Sequence, residues 1–381
     1  MSQPYPNPSP LHSCAHGRSP SRTAGRALRR TFAVIVITFI AAAGTFGYLH
    51  LRHTGRPLGL VQAGDSKTAC LYLGSYPWQQ RLIAAETATG IQYTCLETFA
   101  DDTPSWQSWV SPWVAQPQYG YAPWVRQSPG GHTLVLTVTL IPRDLSDNAD
   151  PLTWEAPCDA GAFDGHARAL AAYLVASGLG YSVVRLGVEP SGPWEDDFVG
   201  TTPTEQHDWA LCFDAEVKSM RSVGGSHFLF DWNVNACYED IPFGRYYPGN
   251  NYVDLVGIDL YDTSCAMTLP GPTPSSWADL GAERNGLDTF DMFARRHNKP
   301  MSIPEWGLQS APNGDDPYYV DGIARFVGRN DVAFQAYFDS GSDGILPLGL
   351  AVPKSLQAYR DDFVAPVARQ REQLLPLPGS A

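Results

Sequence analysis

From about residue 68 onward the chain alternates short apolar runs with longer amphipathic stretches. Eight runs rich in apolar or β-branched residues, each closed by polar residues or by Gly and Pro, read as strands. They are Cys70–Gly74, Tyr93–Glu97, Thr133–Leu140, Ser182–Glu189, His227–Asn233, Val253–Tyr261, Pro300–Glu305 and Val332–Phe338. Several are continuously apolar, which suits parallel strands covered on both faces. Helical signals fall between them. Thr202-Pro203-Thr204-Glu205 is a capping box with proline at the first helical position, opening a helix through about Arg221. Asp316-Pro317 opens another and Thr103-Pro104 a third, while residues 163–177 and 283–297 also read as helix. Between the fifth and sixth strands the pattern predicts only a loop with one turn. Eight βα units over about 300 residues predict an α/β fold, a (β/α)8 TIM barrel. A doubly wound open sheet would call for a Gly-rich phosphate turn after an early strand, and the sequence has none.

The N-terminal part differs in pattern. Residues 1–30 are rich in Pro, Ser and Arg, the composition of a disordered basic tail. Thr31 to Leu49 is an uncharged apolar run of about one bilayer thickness. Arg18, Arg22, Arg26, Arg29 and Arg30 precede it and only Arg52 and Arg56 follow closely, a bias that places the N-terminus in the cytoplasm. The expectation is a single-pass membrane protein with an extracellular catalytic domain, or a secreted one if the helix is a signal cleaved near Ala41-Ala42-Ala43. The predicted organisation is therefore a tail (1–30), a transmembrane or signal helix (31–49), a linker (50–67), the barrel (68–365) and a C-terminal tail (366–381).

Charge and cysteines sharpen this. Residues 1–57 hold seven arginines and no acid, leaving 19 basic against 39 acidic side chains in the rest. So acidic a domain repels nucleic acid, which is set aside as a partner. Cys70, Cys95, Cys158, Cys212, Cys237 and Cys265 all follow the apolar run. None forms a C-x-x-C pair, so disulfides in an oxidising compartment fit better than a metal or redox site. Six cysteines allow 15 pairings, and the sequence does not choose among them. No metal-ligand cluster, serine-hydrolase elbow or cofactor motif is present, and no obligate protein partner is evident.

The candidate chemistry lies at two strand ends. The fourth run closes on Glu189 and the seventh on Glu305, each followed by a turn and an aromatic residue. In a barrel of this kind both carboxylates face the C-terminal mouth, where such folds carry their active sites. Glycoside hydrolysis needs such a pair, with one carboxyl kept neutral as proton donor and the other ionised. Arg185 lies four residues before Glu189, so strand alternation predicts a shared face. Gln335 and Tyr337 also share a face of the eighth strand, the barrel interior being one choice. Trp306, which directly follows Glu305, is a candidate substrate-binding residue, as are Arg185 and Gln335. Trp106, Trp109 and Trp113 read as packing, and His207 and Asp208 as a solvated helix face.

The runs RLGVEPSGPW (185–194), HFLFDWNVN (227–235), YPGNNYVDLVGIDLYD (247–262) and KPMSIPEWG (299–307) resemble those of glycoside hydrolase family 26, retaining enzymes that are typically β-mannanases. The resemblance covers roughly residues 68–345. It implies Glu189 as acid/base, Glu305 as nucleophile, and Tyr261 as a hydrogen-bond partner of the nucleophile. It also implies Trp194 as a sugar platform, with Asp231, Trp232 and Asn233 lining the cleft and no cofactor. Val188 and Pro190-Ser191 depart from the family, which has His before the acid/base and an Asn two residues after it. The expected function is a retaining endo-β-glycosidase acting on an extracellular or cell-surface polysaccharide, a mannan-like β-glycan. The alternatives are a cell-surface transglycosylase and a non-catalytic glycan-binding protein on the same barrel.

Overall fold

The computed structural model describes residues 68–74, 77–100, 104–128, 131–146, 153–237, 241–264, 277, 280–308, 315–339 and 352–364. The expected tails, spanning helix and linker lie outside the described residues, as do Cys265 and Thr103. No helix among the described residues is long and apolar enough to cross a membrane.

All eight expected strands form. They are β1 (Thr68–Tyr72), β2 (Cys95–Phe99), β3 (Thr133–Val138), β4 (Val183–Leu186), β5 (Leu229–Asn235), β6 (Leu255–Tyr261), β7 (Met301–Gly307) and β8 (Val332–Phe338). Each pairs in parallel with the next, and β8 pairs with β1 to close the barrel. The outer helices are α1 (Gln79–Thr89), α2 (Tyr121–Gln127), α3 (Asp164–Ala176), α4 (Pro203–Arg221), α5 (Leu287–His297), α6 (Pro317–Arg329) and α7 (Pro353–Tyr359). Shorter turns of helix lie beside them, including Trp106–Trp109, capped by Ser105 rather than Thr103. Between β5 and β6 the described residues form only the short turn Phe243–Arg245, as the pattern predicts.

Local chemistry explains the helix starts. Thr202 Oγ1 accepts from Glu205 N at 3.3 Å, and Glu205 Oε2 accepts from Thr202 N at 2.6 Å, so orphan donors are met reciprocally. Asp316 caps α6 by accepting from Tyr319 N at 3.1 Å. Helix α5 begins at Leu287 rather than 283, directly after Gly286.

Strand alternation divides the core. Outward residues such as Leu96, Leu136, Val184, Phe230, Ile258 and Ile303 pack under the helices. Inward ones build a dry floor from Cys70, Cys95, Val135, Val183, Leu255, Phe334 and Ala336. Cys70 and Cys95, paired in register across β1 and β2, form a disulfide there. Cys158–Cys212 ties the short helix Glu155–Asp159 to α4, and Cys237 is also disulfide-bonded.

Above the floor the interior turns polar, with Glu97, Thr137, Arg185, Asp231, Asn233, Asp259 and Ser302 all buried. Strand β7 is irregular here. Its pairing slips against both neighbours around Pro304, a residue with no N–H to give a ladder. Ser302 Oγ donates to Asp231 Oδ2 at 2.6 Å and Glu305 reaches Arg185, so residues three apart both face inward. Regular alternation forbids that; the slip permits it. Gly257 makes the space, since a Cβ there would lie 2.6 Å from Asp231 Oδ1 and 3.0 Å from Pro304 Cγ.

Candidate active site

Strand β4 stops at Leu186, so Glu189 lies in the following turn rather than at the strand end expected for it. Gly187 turns the chain with φ 68°, and Glu189 itself has φ 40°. That left-handed backbone is unfavourable for a side chain with a Cβ, by roughly 1–2 kcal/mol. The turn is held from several sides. Glu189 N donates to Asn233 Oδ1 at 3.3 Å, Gly192 N to Glu189 O at 2.7 Å, and Val199 N to Pro190 O at 2.7 Å. Trp194, 53% exposed, donates its Nε1 to Glu189 Oε2 at 3.3 Å. Burial and then the nearby Glu305 push the Glu189 carboxyl up to about 7, against the opposing pull of Arg185, Asn235 and Trp194.

Glu305 has a different setting. Arg185 Nη1 donates to its Oε1 at 2.5 Å, and Tyr261 Oη donates to its Oε2 at 2.9 Å. Arg185 is wholly buried at the centre of a charged network. Its Nη1 also reaches Glu97 Oε1 at 3.1 Å, its Nη2 reaches Asn233 Oδ1 at 2.8 Å, and Nη2 contacts Asp259 Oδ2. The guanidinium carbon lies 5.5 Å from the Phe99 ring centroid. Thus one carboxyl is desolvated and close to neutral, while the other has a donor on each oxygen. This asymmetry is what an acid and a nucleophile working together require.

Arg185, Glu189, Trp194, Asn233, Tyr261 and Glu305 come together at the mouth, linked by the bonds above. Asp231 faces the interior lower down, bonded to Ser302 rather than lining the cleft, and burial pushes its carboxyl up to about 6. Three expected cleft residues face the other way. Trp232 points outward from β5 and packs on Tyr246, Tyr247 and Phe293. Trp306 is fully buried beneath the outer helices and bonds Gln335, which therefore also lies outside the barrel interior. The turn at Gly187 likewise means that strand alternation does not relate Arg185 to Glu189.

The sequence reading missed Glu97 and Asp259, the other two carboxyls on Arg185. It also missed an aromatic wall formed by Tyr72, Phe99 and Phe338. Tyr72 stacks on Phe338 at 4.3 Å and meets Phe99 edge-on at 5.1 Å. Their signal was parity, since each ends its strand on the interior face. Glu195, half-buried behind Trp194, is pushed up to about 9 by burial and the acids around it. Among the described residues, the one His, Cys, Asp or Glu cluster tight enough to hold a metal is Cys158, Cys212 and Glu216, and its two sulfurs are joined as a disulfide.

The fold and the arrangement at its mouth define a (β/α)8 barrel protein with a paired-carboxyl site at the C-terminal ends of its strands. Solved structures add to this. The chain is similar to a Cellulomonas fimi endo-β-1,4-mannanase double mutant, with 14% identity, TM-score 0.57, and 82% of this chain and 74% of that one covered. It is also similar to the catalytic domain of a family 26 endo-β-1,4-mannanase from Bacillus sp. JAMB-750, with 16% identity, TM-score 0.56, and coverage of 81% and 90%. A Bacillus subtilis mannanase, BCman, aligns at 14% identity and TM-score 0.53 over 81% and 89%. At these identities the likeness is one of fold. No protein-family model matches the sequence, and no curated protein matches it by sequence.

Proposed function

We propose that this protein is a retaining endo-β-glycosidase acting on a mannan-like β-glycan, exported through its apolar segment at 31–49. The observation that carries this reading is the opposed setting of Glu189 and Glu305 in one barrel mouth. Several structural neighbours are described as endo-β-1,4-mannanases, which favours mannan within the class.

The steps follow from the geometry. Glu189, protonated up to about pH 7, gives its proton to the glycosidic oxygen as the bond to the anomeric carbon breaks. A Glu305 oxygen bonds to that carbon, displacing the leaving sugar and forming a glycosyl ester. Glu189, now ionised, takes a proton from water, whose oxygen attacks the anomeric carbon and releases Glu305. Charge moves between the two carboxyls at each step. The buried Arg185 offsets charge on Glu305, and Tyr261 fixes the carboxyl plane. Trp194 presents an exposed ring beside the donor and Tyr72, Phe99 and Phe338 form an aromatic wall, both suited to sugar faces.

The test is to incubate the full-length protein and its Glu189→Gln and Glu305→Gln variants with β-mannan, β-xylan and β-glucan, counting new reducing ends. The reading expects one glycan to be cleaved, both substitutions to reduce cleavage by at least about 10³-fold, and wild-type activity to fall above about pH 7. A folded protein that binds a glycan without cleaving it would replace this reading with a glycan-binding one.

A further inference from the structure

Two carboxyls on Arg185, those of Glu97 and Asp259, take no part in these steps. Glu97 projects inward from β2, and its side chain is wholly buried. Its Oε1 receives Arg185 Nη1 at 3.1 Å and Thr137 Oγ1 at 3.4 Å, from β4 and β3. Its Oε2 is buried with no hydrogen-bond partner among the described residues. The charged groups that face it are Arg185, Glu305 on β7, Asp231 on β5 and Asp259 on β6.

The charges at this centre do not balance if every acid is ionised. One guanidinium touches three carboxyls, those of Glu97, Asp259 and Glu305. Full ionisation would leave two uncompensated negative charges in the barrel interior, each costing several kcal/mol. One neutral carboxyl halves that excess, and the contacts show which one gives way. Glu305 has a donor on each oxygen, and Asp259 makes the closest approach to the guanidinium. Glu97 Oε2 and Asp259 Oδ1 both lack a partner among the described residues, so the contact lengths decide, and Glu97 makes the longest of the three. A neutral hydroxyl left unpaired there is far less costly than half of a carboxylate.

We propose that Glu97 stands beneath the nucleophile as a neutral carboxylic acid, a positioning residue that braces Arg185 while leaving its charge to Glu305 and Asp259. Nη1 of Arg185 is shared between Glu305 at 2.5 Å and Glu97 at 3.1 Å. An ionised Glu97 would draw that nitrogen away from the nucleophile; a neutral one holds it in place without competing. Burial, outweighing Arg185, raises the Glu97 carboxyl well above the usual range and raises that of Asp259 likewise, so the contact geometry is what assigns the proton to Glu97. The catalytic consequence rests on Glu305 being the nucleophile; the protonation of Glu97 does not.

An amide has the shape of a neutral acid and no charge to lose, so Glu97→Gln is the informative change. Infrared difference spectra of the resting full-length protein at pH 7, wild type minus Glu97→Gln, are expected to show the carbonyl stretch of one protonated carboxyl. The variant should keep kcat/KM within about threefold of wild type, with the acid limb of its pH profile unmoved. Glu97→Leu removes the brace and should lower kcat by more than about tenfold with KM little changed. Absence of the difference band overturns the proposal. So does a shift of the acid limb to lower pH in Glu97→Gln, because deleting a real negative charge would free Arg185 for Glu305. Should the Leu variant not fold, the spectra and the Gln profile still decide. If no glycan is cleaved yet the band is present, the glycosidase reading falls and the neutral Glu97 stands.

Discussion

Glu189 combines two features that oppose folding, a left-handed backbone and a buried carboxyl beside a second acid. Removing them separately measures each. The rise of the Glu189 carboxyl from 4.5 to about 7 means that the folded protein holds this proton more tightly than the unfolded chain. Below pH 4.5 the group is neutral in both states and costs nothing by this route. As pH climbs to about 7 the unfolded chain gains by ionising first, and stability falls by up to about 3 kcal/mol, at about 1.4 kcal/mol per pK unit. Glu189→Gln abolishes that loss and keeps the backbone strain. It is therefore expected to be more stable than wild type by up to about 3 kcal/mol at pH 8, with little difference at pH 4. Glu189→Gly also relieves the φ of 40°, adding roughly 1 kcal/mol at both pH values, less the lost bond from Trp194. Urea denaturation of the full-length proteins, followed by tryptophan fluorescence, gives these differences. A Gln variant with the same gain at both pH values, or none at pH 8, would refute the reasoning. Both variants are expected to be inactive, the usual relation between a strained site and the stability it forgoes.

The Cys158–Cys212 disulfide spans 54 residues, so replacing both cysteines with alanine should cost about 4 kcal/mol on the loop-entropy model. Calorimetry would show a large fall in Tm, and an unchanged Tm would mean that the α4 contacts alone hold this region. Gly257→Ala places a Cβ against Asp231, Ser302 and Pro304, and should cost about 1–3 kcal/mol. Because those contacts set the slip in β7, activity should fall at least about tenfold; full activity in a folded variant would separate Gly257 from the placement of Glu305.

The barrel was legible because its strands are short, apolar and evenly spaced, and α4 and α6 announced themselves by their caps. Glu189 and Glu305 were legible as acids closing such runs. What failed was the inference that neighbours in sequence share a site. Trp232 lies between Asp231 and Asn233, and Trp306 follows Glu305, so alternation sends both tryptophans outward. Gln335 stands between Phe334 and Ala336, which face the floor, and parity alone excludes it from the interior. Glu97, which closes the second run, and Asp259, inside the sixth, were overlooked because a lone strand acid shows no role until a partner is seen across the barrel. That partner, Arg185, lies 88 and 74 residues away from them in sequence. The turn at Glu189 was hidden for another reason: a glycine permits a left-handed bend at Gly187 without requiring one.

Glu305 and Trp306 are consecutive residues on opposite faces of one strand. The indole is wedged between Tyr337, Tyr359 and Phe363, with ring centroids 4.8, 6.1 and 5.9 Å away. Tyr359 ends α7 and in turn meets the hydroxyl of Tyr93 at 3.3 Å. Helix α7 thus serves as a backstop to the Glu305 carboxyl, separated from it by the thickness of a single strand. Any fusion or ligand that shifts residues 353–364 would act on Glu305 from behind, altering its aim without touching the cleft. The outer wall of this barrel is therefore a handle on its chemistry.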